Sequence, residues 1–310
     1  MPNYNKELYI EDAIESVLQQ SYKNWELIIV DDGSSDNSVE IILKYVRKYP
    51  NISMLSNRKN KGISYSMNRG CKRAKGYLIG TLDSDDILEA NALEYMMELH
   101  NKYLDYSLIV STISLNDKNM NYIGIEDSLP LLKDGQTLFE KRGETIQVYL
   151  EERKIKFISM SFRVFKREDF QKIKGYDTSL NTAEDVDIMY QLEKVGKVMF
   201  TDVPIYRRRV LSNSITNQVF SISLYCDFIR AECKEIKRRY HKWIPLCNFK
   251  YIPSLMILYF NMWYEKYRPG ASLLLSDMYI RAGYACRKEN KYISSIYMII
   301  GKKLRMMKRE

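Results

Sequence analysis

Histidine is scarce in this chain of 310 residues, which contains only His100 and His241. A nucleophilic triad built on histidine is therefore disfavoured, and acid–base chemistry is expected to use carboxylates. The five cysteines are an odd number and include no Cys-x-x-Cys pair. They predict neither a disulfide framework nor a zinc knuckle, and a reducing compartment is expected.

Long apolar runs are absent as well. The longest uncharged apolar run, residues 251–264, includes Pro253, Ser254 and Asn261, and it falls short of the about 20 apolar residues that span a bilayer. We therefore expect a buried or interfacial helix there. The first dozen residues are polar and lack the apolar core of a signal peptide, so none is expected.

The composition is that of a globular protein, with 45% hydrophobic and 28% charged residues. The length favours one large domain or two, and two are expected. Lys and Arg number 48 against 39 Asp and Glu, which gives a net charge of +9. This charge is compatible with nucleic acid, an anionic membrane surface or a phosphorylated ligand, and it does not choose among them.

Helical and strand patterns alternate along the first two thirds of the chain. Periodic apolar residues predict a helix over 8–18, and a buried strand follows at Leu27–Val30. The other predicted elements are helices at Ser38–Lys48, Ser64–Ala74 and Asp185–Leu192, and strands at Ile52–Leu55, Tyr77–Leu82, Leu108–Ser114 and Ile155–Phe165. We predict an α/β domain over 1–216, with a mostly parallel sheet covered by helices on both faces, and a helical region over 217–310.

Two acidic segments directly follow predicted strands, where ligands bind in such sheets. The acids of Asp83–Asp86, interrupted only by Ser84, would repel one another unless a cation or many donors compensated them, which favours Mg²⁺ or Mn²⁺. The alternative is a solvated turn that caps a helix at Leu88. Asp31–Asp36 likewise has an alternative interpretation as a turn and helix cap.

Five motifs occur in a fixed order over residues 1 to about 215: Pro2–Asn5, Ile14–Tyr22, Glu26–Asp36, Leu82–Asp86, and Gly175–Asp177 with Ala183–Asp185. Together they resemble the signature of family 2 glycosyltransferases, which have the GT-A fold. The resemblance implies inverting transfer of a sugar from a nucleotide-diphosphate sugar to an acceptor hydroxyl. It implies a polysaccharide or lipid-linked glycan as acceptor, in making a bacterial surface polysaccharide such as a capsule.

The resemblance also implies roles for individual residues. Those expected to contact the donor are Pro2, Tyr4, Asp31, Asp32, Asn68, Asp83 and Arg209. Among them, Tyr4 and Asp32 would contact the nucleobase and Asp83 would lie near the ribose. Asp85 would bind Mg²⁺ or Mn²⁺, with Asp86 supporting it. Asp185 matches the general base, although with Glu184 and Asp187 it could merely favour a helix amino terminus.

The chain departs from the family pattern at three places. Met67 occupies a slot that often holds arginine, and Arg209 occupies an approximate histidine slot. The first family strand is missing before Pro2. We therefore predict a strand-wide gap between Leu27–Val30 and Tyr77–Leu82, lined by unpaired backbone and apolar side chains, and we predict poor stability as its consequence.

The carboxy-terminal region carries no donor-site motif. Its Tyr-, Met- and Lys-rich helices suggest docking on the inner face of the plasma membrane from the cytoplasm, and a helical bundle with a solvated face is the alternative. The main alternative function is a catalytically weak glycosyltransferase-like binding subunit of a polysaccharide assembly complex. Nucleic-acid binding is disfavoured, because the charges are dispersed and no binding motif accompanies them.

Overall fold

The computed structural model describes residues 1–125 and 162–211, together with the five separate positions 227, 231, 234, 235 and 238. Of these, residues 1–125, 162–179 and 188–211 belong to one compact unit. Residues 180–187 and the five separate positions belong to a second. The predicted boundary at residue 216 and the apolar run 251–264 lie outside the described residues, so both stay predictions.

The first sheet is wholly parallel and has three strands in the order β1-β2-β3. The strands are β1 (Pro2–Asn3), β2 (Leu27–Asp31) and β3 (Ile52–Ser56). All five residues of β2 are buried, which agrees with its uninterrupted apolar sequence, since both faces of a parallel strand are covered. Asp31 is therefore placed at the carboxyl end of a fully buried strand.

Three helices accompany this sheet: α1 (Ile10–Leu18), α2 (Ser38–Lys48) and α3 (Ile63–Arg73). In α1, apolar residues three or four positions apart, such as Ile10, Ile14 and Val17, are buried and pack into the hydrophobic core with β2. The helices begin and end within two residues of their predicted bounds.

The second sheet has six strands: β4 (Leu78–Gly80), β5 (Ile87–Leu88), β6 (Tyr106–Asn116), β7 (Tyr122–Ile125), β8 (Arg163–Lys166) and β9 (Lys197–Arg209). Their order is β4-β8-β6-β9-β5, with β7 on β6. Among these described strands, only the β6–β9 pairing is parallel. The remaining described helices are α4 (Ala92–Lys102), α5 (Arg167–Lys172) and α6 (Glu184–Glu193).

The predicted α/β fold is confirmed, with a parallel first sheet and a mixed second sheet. The strand β9 is not among the strands predicted from the sequence. Pro204 interrupts its sequence, and the register of β9 on β6 shifts where Pro204 lies opposite Thr112, because proline cannot donate to the ladder. The predicted strand over 155–165 is described only from Arg163, where β8 begins.

A cavity separates β2 from β4, which belong to different sheets. Its volume is about 580 Å³, and residues of both strands line it together with Met67, Met96 and Phe162. As predicted, the two described strands over Leu27–Val30 and Tyr77–Leu82 do not pair with each other. The prediction of unpaired backbone is wrong on the β2 side, because the Met1 ammonium donates to the Ile28 carbonyl (3.0 Å) and the Val30 N–H donates to the Met1 carbonyl (2.8 Å). The predicted effect of the gap on stability stays a prediction.

Candidate active site

The turn that follows β2, Asp31–Asp36, is called here the first acidic turn. Asp31 is only 1% exposed, and its carboxylate accepts hydrogen bonds from the side chains of Asn3 (2.9 Å) and Ser34 (2.5 Å). The backbone N–H groups of Gly33 (3.2 Å) and Ser34 (3.1 Å) also donate to it. Four donors thus compensate the buried charge, and the turn is rigidly held.

Gly33 brings this turn against the loop before α3. Its φ is +76°, and a Cβ atom there would lie 2.8 Å from the backbone of Lys59. Both the left-handed conformation and the close approach require glycine. The second carboxylate of the turn, on Asp32, accepts from Asn57 Nδ2 (2.6 Å) and from the N–H groups of Lys61 (2.9 Å) and Gly62 (2.8 Å).

Pro2 and Tyr4, both predicted to contact the sugar donor, are brought beside the first acidic turn by the pairing of β1 with β2. Pro2 lies opposite Val30 in this pairing. Tyr4 follows β1 and is 45% exposed. Asn5 joins the two segments, because its N–H donates to Ser34 Oγ (3.0 Å). The structure thus gathers four predicted donor contacts, Pro2, Tyr4, Asp31 and Asp32, at one strand end.

The turn after β4, Asp83–Asp86, is called here the second acidic turn. Asp86 is 3% exposed, and both of its carboxylate oxygens are used: Tyr206 Oη donates to one (2.7 Å) and the Arg209 N–H to the other (2.8 Å). Burial, and the negative charges of Asp83 and Asp85, raise the pKa of Asp86 well above its ordinary value. Asp86 therefore anchors the turn to β9.

Asp85 is the acid of this turn whose carboxylate has a described cationic partner. Its Oδ2 lies 2.6 Å from the Lys6 ammonium, and its side chain is 17% exposed. The carboxylate of Asp83 has no hydrogen-bond partner among the described residues. Burial, and then the charge of Asp85, raise the pKa of Asp83 to about 6. The second acidic turn thus carries negative charge that its own donors do not fully compensate.

Arg209, a predicted donor contact, ties the second acidic turn to α1. Its guanidinium donates to the Asp85 carbonyl (3.0 Å), to Asp12 Oδ2 (2.8 Å) and to the Lys118 carbonyl. It also lies over the Tyr9 ring, 4.8 Å from the centroid. The side chain is only 3% exposed. These contacts give Arg209 a structural role, and its predicted contact with the diphosphate stays a prediction.

Asn68, another predicted donor contact, clamps two distant segments together. Its amide donates to the Tyr176 carbonyl (2.7 Å) and accepts from the Tyr176 N–H (2.9 Å). Gly175 has a φ of +78°, and a Cβ there would lie 2.5 Å from Asn68 Oδ1. The neighbouring Met67 is buried and lines the cavity. Nucleotide binding by Asn68 stays a prediction.

Asp185, the predicted base, lies in the second compact unit at the start of α6. The Val186 N–H donates to its Oδ1 (2.8 Å). Two residues earlier, Ala183 has a φ of +61°, which is left-handed and costly for a residue other than glycine. Two residues later, the fully buried Asp187 pairs with Arg238 (2.5 Å).

Metal binding can be judged from the side chains that are available as ligands. Among the residues that the structure describes, no group of three or more His, Cys, Asp or Glu side chains could hold a metal ion. Mg²⁺ and Mn²⁺ need fewer protein ligands when substrate phosphates supply the rest. Asp85 fits this kind of site, because its carboxylate already holds a cation, the Lys6 ammonium, and Asp86 fixes the turn behind it.

Sequence reasoning missed several residues that build the two turns. Lys6 directly follows the first motif but contacts Asp85, 79 positions away. Tyr206 was not singled out from the sequence, yet its hydroxyl accepts from the Asp83 N–H and donates to the Asp86 carboxylate. Asn57 gave no signal at all. Their partners are far away along the chain, and only the strand order brings them into contact.

Comparison with known proteins bears on this site. The Glycosyl transferase family 2 model matches residues 1–174. Chondroitin synthase of Escherichia coli is 26% identical over 251 residues, which is 80% of this chain and 34% of that protein. The chain thus spans about a third of that synthase's length.

Solved structures share the fold at lower identity. S. aureus TarS 1–349 in complex with UDP-GlcNAc has a TM-score of 0.67 and 16% identity, over 99% of this chain and 90% of that one. Mannosyltransferase PcManGT from Pyrobaculum calidifontis, in complex with GDP-Man and Mn²⁺, has a TM-score of 0.53 and 13% identity, over 100% and 86%. In the described part of this chain, no helix is long and apolar enough to cross a membrane.

Proposed function

Because the chain belongs to glycosyl transferase family 2, we propose that it transfers a sugar from a nucleotide-diphosphate sugar to an acceptor hydroxyl, with inversion at the anomeric carbon. The observation that carries this proposal is the second acidic turn, where Asp85 already binds a cationic group. The two structural neighbours bind UDP-GlcNAc and GDP-Man. These ligands support a nucleotide-sugar donor for this chain.

The first acidic turn is proposed to receive the nucleobase. Pro2 and Tyr4 form one side of it, and the exposed ring of Tyr4 offers a stacking surface. Asp32 accepts three hydrogen bonds from the chain and has one lone pair left for a donor on the base. Asp31 maintains the turn, and Asp83 is proposed to lie near the ribose, where its protonated or ionised carboxyl could pair with a hydroxyl.

Asp85 is proposed to hold Mg²⁺ or Mn²⁺, with Asp86 as its support. The ion, when bound, would neutralise charge on the departing nucleoside diphosphate. The Mn²⁺ in the structure of the Pyrobaculum calidifontis mannosyltransferase supports this choice. Lys6 would have to release Asp85 as the ion binds, and its ammonium would then be free to pair with a phosphate oxygen.

Asp185 is proposed as the general base. Inversion in one step requires a carboxylate that takes the proton from the acceptor hydroxyl while its oxygen attacks the anomeric carbon. Asp185 is partly exposed, whereas Asp187 is fully buried and paired with Arg238. This contrast favours Asp185 over its neighbour for contact with an acceptor.

The acceptor is proposed to be a glycan or lipid-linked glycan of a bacterial surface polysaccharide. The similarity to a chondroitin synthase supports a polysaccharide product. The net charge of +9 supports work at the anionic inner face of the plasma membrane.

The full-length chain tests this proposal in a screen of UDP- and GDP-sugars with Mn²⁺, Mg²⁺ or EDTA. Donor binding is followed by calorimetry, and release of nucleoside diphosphate with sugar transfer by mass spectrometry. We expect binding that depends on the metal, and transfer that Asp85→Asn abolishes. Asp105→Asn is the matched control, because Asp105 is exposed and pairs only with Lys197 at the surface.

Three results would change the interpretation. Donor binding with neither transfer nor hydrolysis would support the alternative of a catalytically weak binding subunit. Full transfer by Asp85→Asn would remove the metal role from the second acidic turn. Binding of RNA or DNA that is sensitive to salt, without any binding of nucleotide sugars, would overturn the glycosyltransferase proposal itself.

A further inference from the structure

The second compact unit buries charged side chains beside the segment that carries Asp185. The five described positions between 227 and 238 are all helical, and their spacing is that of one helix face. On this face, Asp227 is 3% exposed and Glu235 is fully buried. Charged groups are rarely buried without partners, so the partners of these residues indicate what the face does.

Asp227 binds the turn that enters α6. Its Oδ2 accepts from the backbone N–H groups of Asn181 (2.8 Å) and Thr182 (3.2 Å), and from the Thr182 hydroxyl (3.4 Å). The next residue, Ala183, has the left-handed φ of +61°. That conformation costs about 1–2 kcal/mol for a residue with a Cβ. The hydrogen bonds of Asp227 hold the chain in this strained turn, two residues before Asp185.

Arg238 binds the other side of the same segment. Its guanidinium lies 2.5 Å from Asp187 Oδ1 and 3.3 Å from Glu235 Oε2. Both carboxylates are fully buried, and the arginine is 25% exposed. A buried carboxylate that loses its cationic partner destabilises its surroundings strongly. Asp187 is therefore fixed in place two residues after Asp185.

We propose that Asp227 and Arg238 are positioning residues for Asp185, and that this face of the carboxy-terminal region fixes the base from both sides. The inference rests on the proposed function, in which Asp185 takes the acceptor proton. A base must lie within hydrogen-bond distance of the proton that it removes. A displacement of 1 Å can lower turnover by about 10²-fold. Loss of the contacts of Asp227 or of Arg238 should therefore reduce catalysis while the residues proposed to bind the sugar donor are unchanged.

Four full-length variants test the role of Asp227: Asp227→Ala, Ala183→Gly, the double variant with both changes, and Asn181→Ala as the control. The exposed side chain of Asn181 makes no described contact, and its backbone N–H bond to Asp227 is kept. The measurements are kcat and KM for the donor, the melting temperature, and amide hydrogen exchange at residues 181–187.

We expect Asp227→Ala to lower kcat about 10–100-fold while the KM for the donor changes less than about twofold. Amide exchange at Asn181 and Thr182 should become faster. Glycine at position 183 adopts the left-handed turn without strain, so the double variant should recover at least about a third of the lost kcat on a logarithmic scale. Asn181→Ala and Ala183→Gly alone should stay close to wild type.

The positioning role of Asp227 is overturned if the kcat of Asp227→Ala equals that of an active wild-type enzyme. It is also overturned if kcat and melting temperature fall together and glycine at 183 restores neither, because that pattern describes a merely structural contact. A wild-type chain without transfer on any donor would instead reject the proposed function. In that case, faster exchange in Asp227→Ala would still show that the contacts of Asp227 exist.

Arg238 gives a second test. Arg238→Lys keeps the charge but loses the forked geometry that reaches Asp187 and Glu235 together. We expect a kcat lowered about tenfold with the fold retained. An unchanged kcat would restrict the positioning role to Asp227.

Discussion

The first and second acidic turns differ in how their negative charge is compensated. In the first, Asp31 and Asp32 accept hydrogen bonds from neutral amides and hydroxyls, seven in all between them. In the second, Asp85 pairs with an ammonium, and the carboxyl group of Asp83 has a raised pKa and no hydrogen-bond partner among the described residues. The same residue type thus supports the fold in one turn and leaves charge for a ligand in the other.

This difference explains why equal substitutions should have unequal effects in the two turns. Hydrogen bonds from fixed neutral donors contribute to the stability of the free protein. Uncompensated like charges reduce the stability of the free protein. That stability is recovered only when a cation binds and neutralises them. We therefore expect substitutions in the first turn to lower the free energy of unfolding. Substitutions in the second turn should change ligand binding and turnover.

The largest effect is expected for Asp85→Ala. It removes the proposed metal ligand and should lower transfer at least about 10³-fold, since metal assistance is worth several kcal/mol. The melting temperature without metal should change little, because only the partly exposed Lys6 loses a partner. Steady-state kinetics with and without Mn²⁺, together with calorimetric melting in EDTA, measure both. A large loss of stability with transfer retained would reverse the assignment of the two turns.

The next effect concerns Asp31→Ala in the first turn. Four hydrogen bonds are lost, and the N–H groups of Gly33 and Ser34 lose this acceptor, while the Asn3 amide keeps its bond to Ser34 Oγ. The free energy of unfolding in urea should fall by about 3 kcal/mol. Ser35→Ala, at an exposed position in the same turn, should stay within about 0.5 kcal/mol. Equal stabilities for the two variants would mean that the hydrogen bonds of Asp31 contribute nothing net.

A smaller effect follows from the raised pKa of Asp83, about 6 in the folded protein against about 3.9 in an unfolded chain. Between these values the folded state binds more protons at Asp83, so the contribution of this group to stability is largest below pH 4 and falls as pH rises towards 6. The total for this group is at most about 2–3 kcal/mol. Urea unfolding in EDTA from pH 4 to 7 measures it.

Asp83→Asn is the control for that pH dependence, because the amide does not titrate. Subtracting its profile from that of the wild type should leave a decline confined to pH 4–6. Identical profiles for the two proteins would show that Asp83 is not the group responsible.

The smallest effect is expected at Lys6. Lys6→Met removes the ammonium that competes with a metal ion for Asp85, so Mn²⁺ should bind the donor-free protein about five- to tenfold more tightly, the scale of a partly exposed ion pair. Lys6→Arg should bind Mn²⁺ like the wild type. Electron paramagnetic resonance of free Mn²⁺ measures the affinity. Weaker binding by Lys6→Met would indicate that Lys6 supports the metal site instead of competing for it.

The position of both turns could be predicted from the sequence, because each follows an apolar run with acidic residues and so marks the end of a strand. The compensation of charge was not, since it depends on partners from other elements. Asp86 is held by Tyr206 and Arg209, and Asp85 by Lys6. No local pattern encodes such contacts.

The described hydrogen bonds of the two turns also differ in how far apart along the chain their partners lie. The hydrogen bonds of Asp31 and Asp32 join residues that all lie between 3 and 62, whereas Asp86 binds residues 120 and 123 positions later, and Arg209 reaches Asp12 across 197 positions. During synthesis on the ribosome, the first turn can close while most of the chain is still unmade. The second cannot close until Arg209 has left the exit tunnel. Long loops also cost more entropy to close, so the nascent protein should form the contacts of its second acidic turn late.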